Sequence, residues 1–284
     1  MDFLNLDPLL RQALAEDLGR GDITTDAILG RRGFSTRDEI RIEATLIAKE
    51  ELVLAGWPLF VRVFELLGAV ETKPCFEEGT PVPRGELVGT LEGTASLLLK
   101  GERVALNFLQ HLCGIATLTR RYVDLVAHTQ AKVLDTRKTT PLWRSLDRYA
   151  VRIGGGHNHR FGLDDGILIK ENHISVAGGV REAIEACRAS KNHLQKIEVE
   201  VRNNEEITDA LGAGVDILLL DNMTPEQVRE AVERVQGRCL VEVSGGVDET
   251  NIVQYAEAGA DLVSSGILTH SSPSSDLSLI LEAR

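Results

Sequence analysis

The 284-residue sequence predicts an α/β protein, a β/α barrel preceded by an α+β layer packed on a sheet. Three observations predict it. From Ala131 to His270, short Val, Ile and Leu runs alternate with helical segments, the last four at spacings of about 20 to 22 residues, as βα units with short loops require. Each apolar run ends in polar or charged residues. The first hundred residues lack this rhythm and read as a separate layer.

Taken in order, LDPLLRQALAEDLG places leucines at helical spacing and stops at Gly19, whereas GRGDITTDAIL reads as a turn-rich connector. IRIEATLIA, AVETKP and ELVGTLEG have strand character and are separated by turn signals such as EEGTPVPRG. GWPLFVRVFELLG is a helix between them. From Gly101, GERVALNFLQHLCGIATLTRRYVDLVAHT is a long amphipathic helix with an interruption expected at Cys113 and Gly114. The strands that follow are AKVLDTRKT, GILIKENH, IEVEVRN, DILLLDNM, CLVEVSGG and DLVSSGILTH. Between them lie the helices REAIEACRAS, EEITDALGA, PEQVREAVERV and TNIVQYAEAG. Thr224, Pro225 and Gln227 make a helix start, with a capping oxygen, a proline at the first helical position and a back-bonding amide.

The strand ends choose between the two architectures that fit this rhythm. They are Asp135, Thr136, Arg137 and Lys138; Lys170, Glu171 and Asn172; Glu200 and Arg202; Asp221 and Asn222; Ser244, Gly245 and Gly246; and Ser264, Ser265 and Gly266. In a barrel every strand C-terminus meets one functional rim, but an open doubly wound sheet needs such ends only beside its switch point. Six equipped ends favour the barrel.

Composition narrows the partners. The chain carries 43 Asp and Glu against 31 Lys and Arg, a net charge of −12, so neither nucleic acid nor an anionic membrane is expected. With no signal-peptide pattern and no apolar run long enough to span a bilayer, the protein is expected to be soluble and cytoplasmic. Its four cysteines form no CxxC pair and read as ordinary packed residues. Between Arg137 and His173, however, seven basic residues face four acidic ones. A local cationic cluster in an acidic chain points to a small anionic ligand.

The rim sorts into three chemistries. Arg137, Lys138, His159, Arg160 and Lys170 make a cationic part that can hold several carboxylate or phosphate groups. Glu200 and Asp221 make an acidic part suited to ribose hydroxyls, to Mg²⁺ shared with a phosphate, or to a developing positive charge. SGG and SSGIL are glycine loops before helices, the first helix expected to begin near Asp248, where backbone N–H groups favour an anion. Blander readings stand beside these. Arg144, Arg148 and Arg152 fall on a helical pattern and read as structural, GGG at Gly154 reads as a loop needing positive φ, and His157 with His159 forms an H-x-H pair without further suitably spaced ligands. Lys170 also admits a Schiff-base lyase reading, and the phosphate loops a non-catalytic phosphoribosyl-binding regulator.

DTRKTTP, YAVRIGGGHNHRFGLDDGILIKENHI, IEVEVRN, LLLDNM, VEVSGG and SSGILTHS together resemble the quinolinate phosphoribosyltransferase family, from EDLGRGDITT to LTHS. The resemblance implies an incomplete (open) β/α barrel of the type II phosphoribosyltransferase kind. It implies residues 113–269 as the barrel domain and 1–112 as an N-terminal α+β sandwich domain, to which 270–284 returns. The implied reaction joins quinolinate to 5-phosphoribosyl 1-pyrophosphate with Mg²⁺, giving nicotinate mononucleotide, pyrophosphate and CO₂ for NAD synthesis. Arg103 would reach the site of a partner in a homodimer and, with Arg137, His159 and Arg160, hold the two acceptor carboxylates. Thr136, Lys138 and Lys170 would serve quinolinate and pyrophosphate, with Lys138, Lys170, Glu200 and Asp221 catalytic and the last two near the metal. Ser244, Gly245, Gly246, Ser265, Gly266 and Ile267 would cradle the 5′-phosphate. A branch associated with molybdenum-transport operons shares much of this pattern. One departure stands out, since Leu142 and Trp143 follow Pro141 where the family has a glycine.

Overall fold

A computed structural model describes residues 3–31 and 40–282. The chain divides into two compact units, residues 1–117 with 273–284, and residues 118–272.

The first unit is built on an antiparallel sheet of β1 (Arg41–Ala48), β3 (Glu71–Pro74), β5 (Leu87–Thr94) and β12 (Leu277–Glu282), in the order β12-β1-β5-β3. Along β1 burial alternates, with Ile42, Ala44, Leu46 and Ala48 turned inward, which is the period of two that IRIEATLIA carries. A small pair, β2 (Leu52–Val53) with β4 (Pro81–Val82), lies beside α3 (Trp57–Glu65) in sequence. Helix α1 (Phe3–Leu18) buries Leu6, Leu10 and Leu14 at four-residue steps.

Two expectations fail here. The GRGDITTDAIL connector contains a helix, α2 (Ile23–Arg31), because Asp22 accepts hydrogen bonds from both the N–H and the hydroxyl of Thr25 and so starts it. Helix α4 (Ala95–Val126) starts earlier than Gly101 and runs unbroken through Cys113 and Gly114 for 32 residues. Those two residues serve packing instead. The buried Cys113 Sγ accepts the Ala55 N–H at 3.4 Å, and a Cβ on Gly114 would lie 2.0 Å from the Pro273 carbonyl oxygen. The glycine is there for close approach, at the modest cost of glycine inside a helix.

The second unit carries six parallel strands: β6 (Lys132–Leu134), β7 (Ile167–Ile169), β8 (Ile197–Val201), β9 (Ile217–Asp221), β10 (Leu240–Ser244) and β11 (Leu262–Ser264). Their order is β6-β11-β10-β9-β8-β7. Successive strands are therefore neighbours all the way from β7 to β11, and β11 returns to β6, which is barrel winding without a reversal at a switch point. Among the described residues β6 and β7 do not pair, so the barrel is open there. On that edge the parallel bridge from Leu134 to His157 supplies hydrogen bonds from His157 N–H to Val133 and from Asp135 N–H to His157.

The helices of this unit are α5 (Arg144–Ile153), α6 (Glu171–Ala177), α7 (Val180–Ser190), α8 (Asn204–Gly212), α9 (Pro225–Val235), α10 (Ile252–Glu257) and α11 (Ile267–His270). Asn203 and Thr224 cap α8 and α9 through their side chains, the latter in the expected box with Gln227. Helix α10 begins at Ile252 and not near Asp248, because Asp248 turns the chain by accepting from the Thr250 N–H and hydroxyl. Among the described residues no helix is long and apolar enough to cross a membrane.

Candidate active site

Strand alternation builds the site. Residues two apart on a strand share a face, and the inward set Leu168 and Lys170, Leu219 and Asp221, Glu242 and Ser244, and Ser264 lines a cavity of about 440 Å³ at the strand C-termini. Thr136, Arg137, Lys138, His159, Arg160, Glu200, Gly245, Gly246, Ser265, Gly266 and Ile267 line it too. The structure thus brings together all the site residues expected from sequence except Arg103, which is exposed on α4 in the first unit. Asn222, Val247 and His270 also line it.

The cationic end hangs on Asp135, which is completely buried. Its carboxylate accepts the His159 N–H at 2.8 Å and the Asn158 amide, and lies 3.4 Å from the Arg148 guanidinium, which also donates to the His159 carbonyl. Burial pushes the Asp135 carboxyl upward, opposed by these donors. The loop carrying HNHR is therefore pinned to the end of β6. Arg160 donates to the Gly166 carbonyl at 2.9 Å, while its Nε is buried without a partner. Its pKa is held below the ordinary value, first by burial and then by the positive charge of Arg137 nearby. Two guanidiniums at one end of a cavity call for anionic groups. Arg144 takes no part in the cavity lining, because it donates to Thr139, to the Phe161 carbonyl and to the Arg137 carbonyl.

In the middle, Lys170 Nζ lies 3.1 Å from Glu200, and Asn222 donates to Asp221 at 2.8 Å. His173, without a role in the sequence reading, accepts the Lys170 N–H at 2.9 Å at the start of α6. At the late end, Gly245 and Gly246 have φ of 93° and 62°, and a Cβ on Gly245 would meet the Asn222 side chain at 2.4 Å. Ser265 differs from the expectation of a phosphate contact. Its N–H donates to Leu134 and its hydroxyl to Val247 at 2.8 Å, and Tyr122 also bonds the hydroxyl, so it ties the two glycine loops together. Lys138 is fixed by Thr269, whose hydroxyl donates to its carbonyl at 2.7 Å.

Two residues escaped the sequence reading. Glu198 and Glu242 sit inside β8 and β10, 6% and 1% exposed, and the His159 Nε2 lies 3.2 Å from the first and 3.5 Å from the second. Burial, then the neighbouring Glu198 charge, pushes the Glu242 carboxyl up to about 7. Burial disfavours charge on His159, but Glu198 and Glu242 outweigh it and draw its pKa above the ordinary value. The signal was present in IEVE and LVEVS, where each glutamate shares a strand face with a rim residue two positions on.

An open β/α barrel with a dicationic end, two carboxylates at its centre and paired glycine loops defines a class: a phosphoribosyltransferase of the barrel type. The quinolinate phosphoribosyl transferase C-terminal domain model matches residues 115–280 and the N-terminal domain model residues 22–113. The chain belongs to the quinolinate phosphoribosyl transferase family. It is 39% identical over 279 residues, 96% of this chain and 95% of its counterpart, to nicotinate-nucleotide pyrophosphorylase (carboxylating) of Mycobacterium leprae. A crystal structure of NadC from Streptococcus pyogenes superposes with a TM-score of 0.93 at 42% identity, covering 99% of this chain and 98% of that one. Nicotinate-nucleotide pyrophosphorylase from Francisella tularensis gives 0.91 at 38% identity, with 98% and 96% covered.

Proposed function

We propose that this cavity carries out the family's reaction, transfer of the phosphoribosyl group of 5-phosphoribosyl 1-pyrophosphate to quinolinate with loss of CO₂, the step that yields nicotinate mononucleotide for NAD synthesis. The observation that carries the reading is the pair Arg137 and Arg160 at one end of the cavity, a match for two adjacent carboxylates. Arg103 of a second copy completes that end in a homodimer.

Glu200 and Asp221 stabilise the positive charge that develops on the ribose as pyrophosphate leaves, and Lys138 and Lys170 hold the departing group. The acceptor nitrogen bonds to C1′. Once quaternised, it stabilises the electron pair left on C2 when the adjacent carboxylate departs as CO₂, and C2 then takes up a proton. The loops at Ser244 to Gly246 and Gly266 to Ile267 hold the 5′-phosphate, positioned by Ser265. Glu200 and Asp221 offer hard oxygen donors but not a full ligand set, which fits Mg²⁺ held jointly with substrate phosphates. When bound, Mg²⁺ supplies neutralisation of phosphate charge. The test is to incubate the protein with quinolinate labelled in its 2-carboxyl, phosphoribosyl pyrophosphate and Mg²⁺. Equal amounts of pyrophosphate and labelled CO₂ are expected, and pyrophosphate release without CO₂ would overturn the reading.

A further inference from the structure

Glu198 and Glu242 lie behind the cationic end, and nothing in the reaction above uses them. They are not surface acids. Both are nearly fully buried, their carboxyl groups approach each other within hydrogen-bonding reach, and one oxygen of each, Oε1, is buried without a hydrogen-bond partner. Glu242 also lines the cavity. Two ionised carboxylates cannot donate to each other, and burying both unpaired would be strongly unfavourable. One proton between them satisfies the pair.

The hydrogen bonds say where that proton sits. His159 Nδ1 accepts the Arg160 N–H at 2.7 Å, which requires its lone pair and so keeps the ring neutral, with its hydrogen on Nε2, against the pull of the two carboxylates toward the charged form. Glu198 Oε2, 3.2 Å from that nitrogen against 3.5 Å for Glu242, is the nearer carboxylate, which makes Glu198 its charged partner and Glu242 the acid. Ser264 also bonds Glu242, and the Arg160 guanidinium faces the cluster. The same geometry argues against a metal ion. His159, Glu198 and Glu242 have donor atoms within 4.8 Å of one another, but an N–H and not a lone pair faces the space between them.

We infer that Glu242 is a positioning residue for the acceptor: as the acid partner of Glu198 it holds the His159 ring, and through Nδ1 the main chain of Arg160, at the quinolinate end of the cavity. The chain of contacts runs from Glu242 to Glu198 to His159 to Arg160, at the cationic end of the cavity. His159 itself has both ring nitrogens engaged within the protein, so its contribution to the acceptor passes through Arg160. The inference rests on the proposed reaction for the identity of the acceptor.

The experiment compares Glu242→Gln with Glu242→Met in the full-length enzyme, both close to glutamate in volume. KM is measured separately for quinolinate and for phosphoribosyl pyrophosphate, quinolinate binding is followed by calorimetry, and a thermal melt reports folding. Loss of one buried hydrogen bond in the chain predicts that Glu242→Met raises the quinolinate KM and Kd about tenfold and leaves the pyrophosphate donor KM within about twofold. The amide of Glu242→Gln can still donate to Glu198, so it recovers the acceptor KM to within about threefold of wild type. A glutamine variant as impaired as the methionine one, equal rises in both KM values, an unaffected methionine variant, or a stoichiometric bound metal lost on substitution each overturns the inference. A wild-type enzyme that does not turn over quinolinate would refute the proposed reaction instead, before any variant is made.

Discussion

Substituting Glu242 by glutamine makes the protein more stable at alkaline pH and changes little at acid pH. The perturbation removes one ionisation and leaves the side-chain volume and a donor in place. In the folded protein burial and the Glu198 charge raise the Glu242 carboxyl from 4.5 to about 7. For an acid whose folded pKa lies above its unfolded value, the unfolded chain releases the proton first. Wild-type stability from this group is therefore complete below pH 4.5 and is lost as pH rises through about 7. The rise is equivalent to about 3 kcal/mol between those limits. Urea unfolding of both proteins at intervals from pH 5 to 8.5 measures it. The glutamine variant gains relative to wild type across that range, by an amount approaching about 3 kcal/mol. Parallel stability curves would refute the buried-acid account, since the substitution alters titration within the cluster of Glu242, Glu198 and His159.

Three further outcomes follow from the geometry. Arg160→Ala or Arg137→Ala lowers kcat/KM for quinolinate by about 10² to 10³ with an unchanged circular dichroism spectrum, because each removes a preorganised charge from the acceptor end; steady-state kinetics checks this. Leu142→Gly stabilises the protein by on the order of 0.5 to 1 kcal/mol in chemical denaturation, because Leu142 sits at φ 68° and is 85% exposed, so strain is relieved with no packing lost. Gly114→Ala destabilises by about 3 kcal/mol or more, since its methyl would meet the Pro273 carbonyl oxygen at 2.0 Å; the melting temperature reads it.

Much of the site was legible because a barrel strand announces its own end. In ILLLD, GILIK and LVEVS the apolar run stops at a residue with chemistry, and alternation carries that residue to the cavity. Glu198 and Glu242 were hidden by the same pattern, since a glutamate within a strand body reads as an outward polar position until the strand order shows that both faces are covered. Ser265 looked like a phosphate ligand from SSGIL, but its partners Leu134, Val247 and Tyr122 come from distant parts of the chain. Gly114 read as a helix break for a related reason, because the contact that demands a glycine is made by Pro273, far along the sequence. Asp22 was closer to hand, for an Asp three residues before a Thr is a local capping signal that the surrounding glycines masked.

The central claim is that the cationic end of the barrel selects an acceptor with two adjacent carboxylates. It is tested most directly by measuring kcat/KM for quinolinate and for nicotinate side by side, with phosphoribosyl pyrophosphate and Mg²⁺ held constant. A preference for quinolinate of about 10³-fold or more is predicted, because the single carboxylate of nicotinate leaves buried donors unpaired. Comparable turnover of the two acids, or reaction with nicotinate alone, contradicts the account.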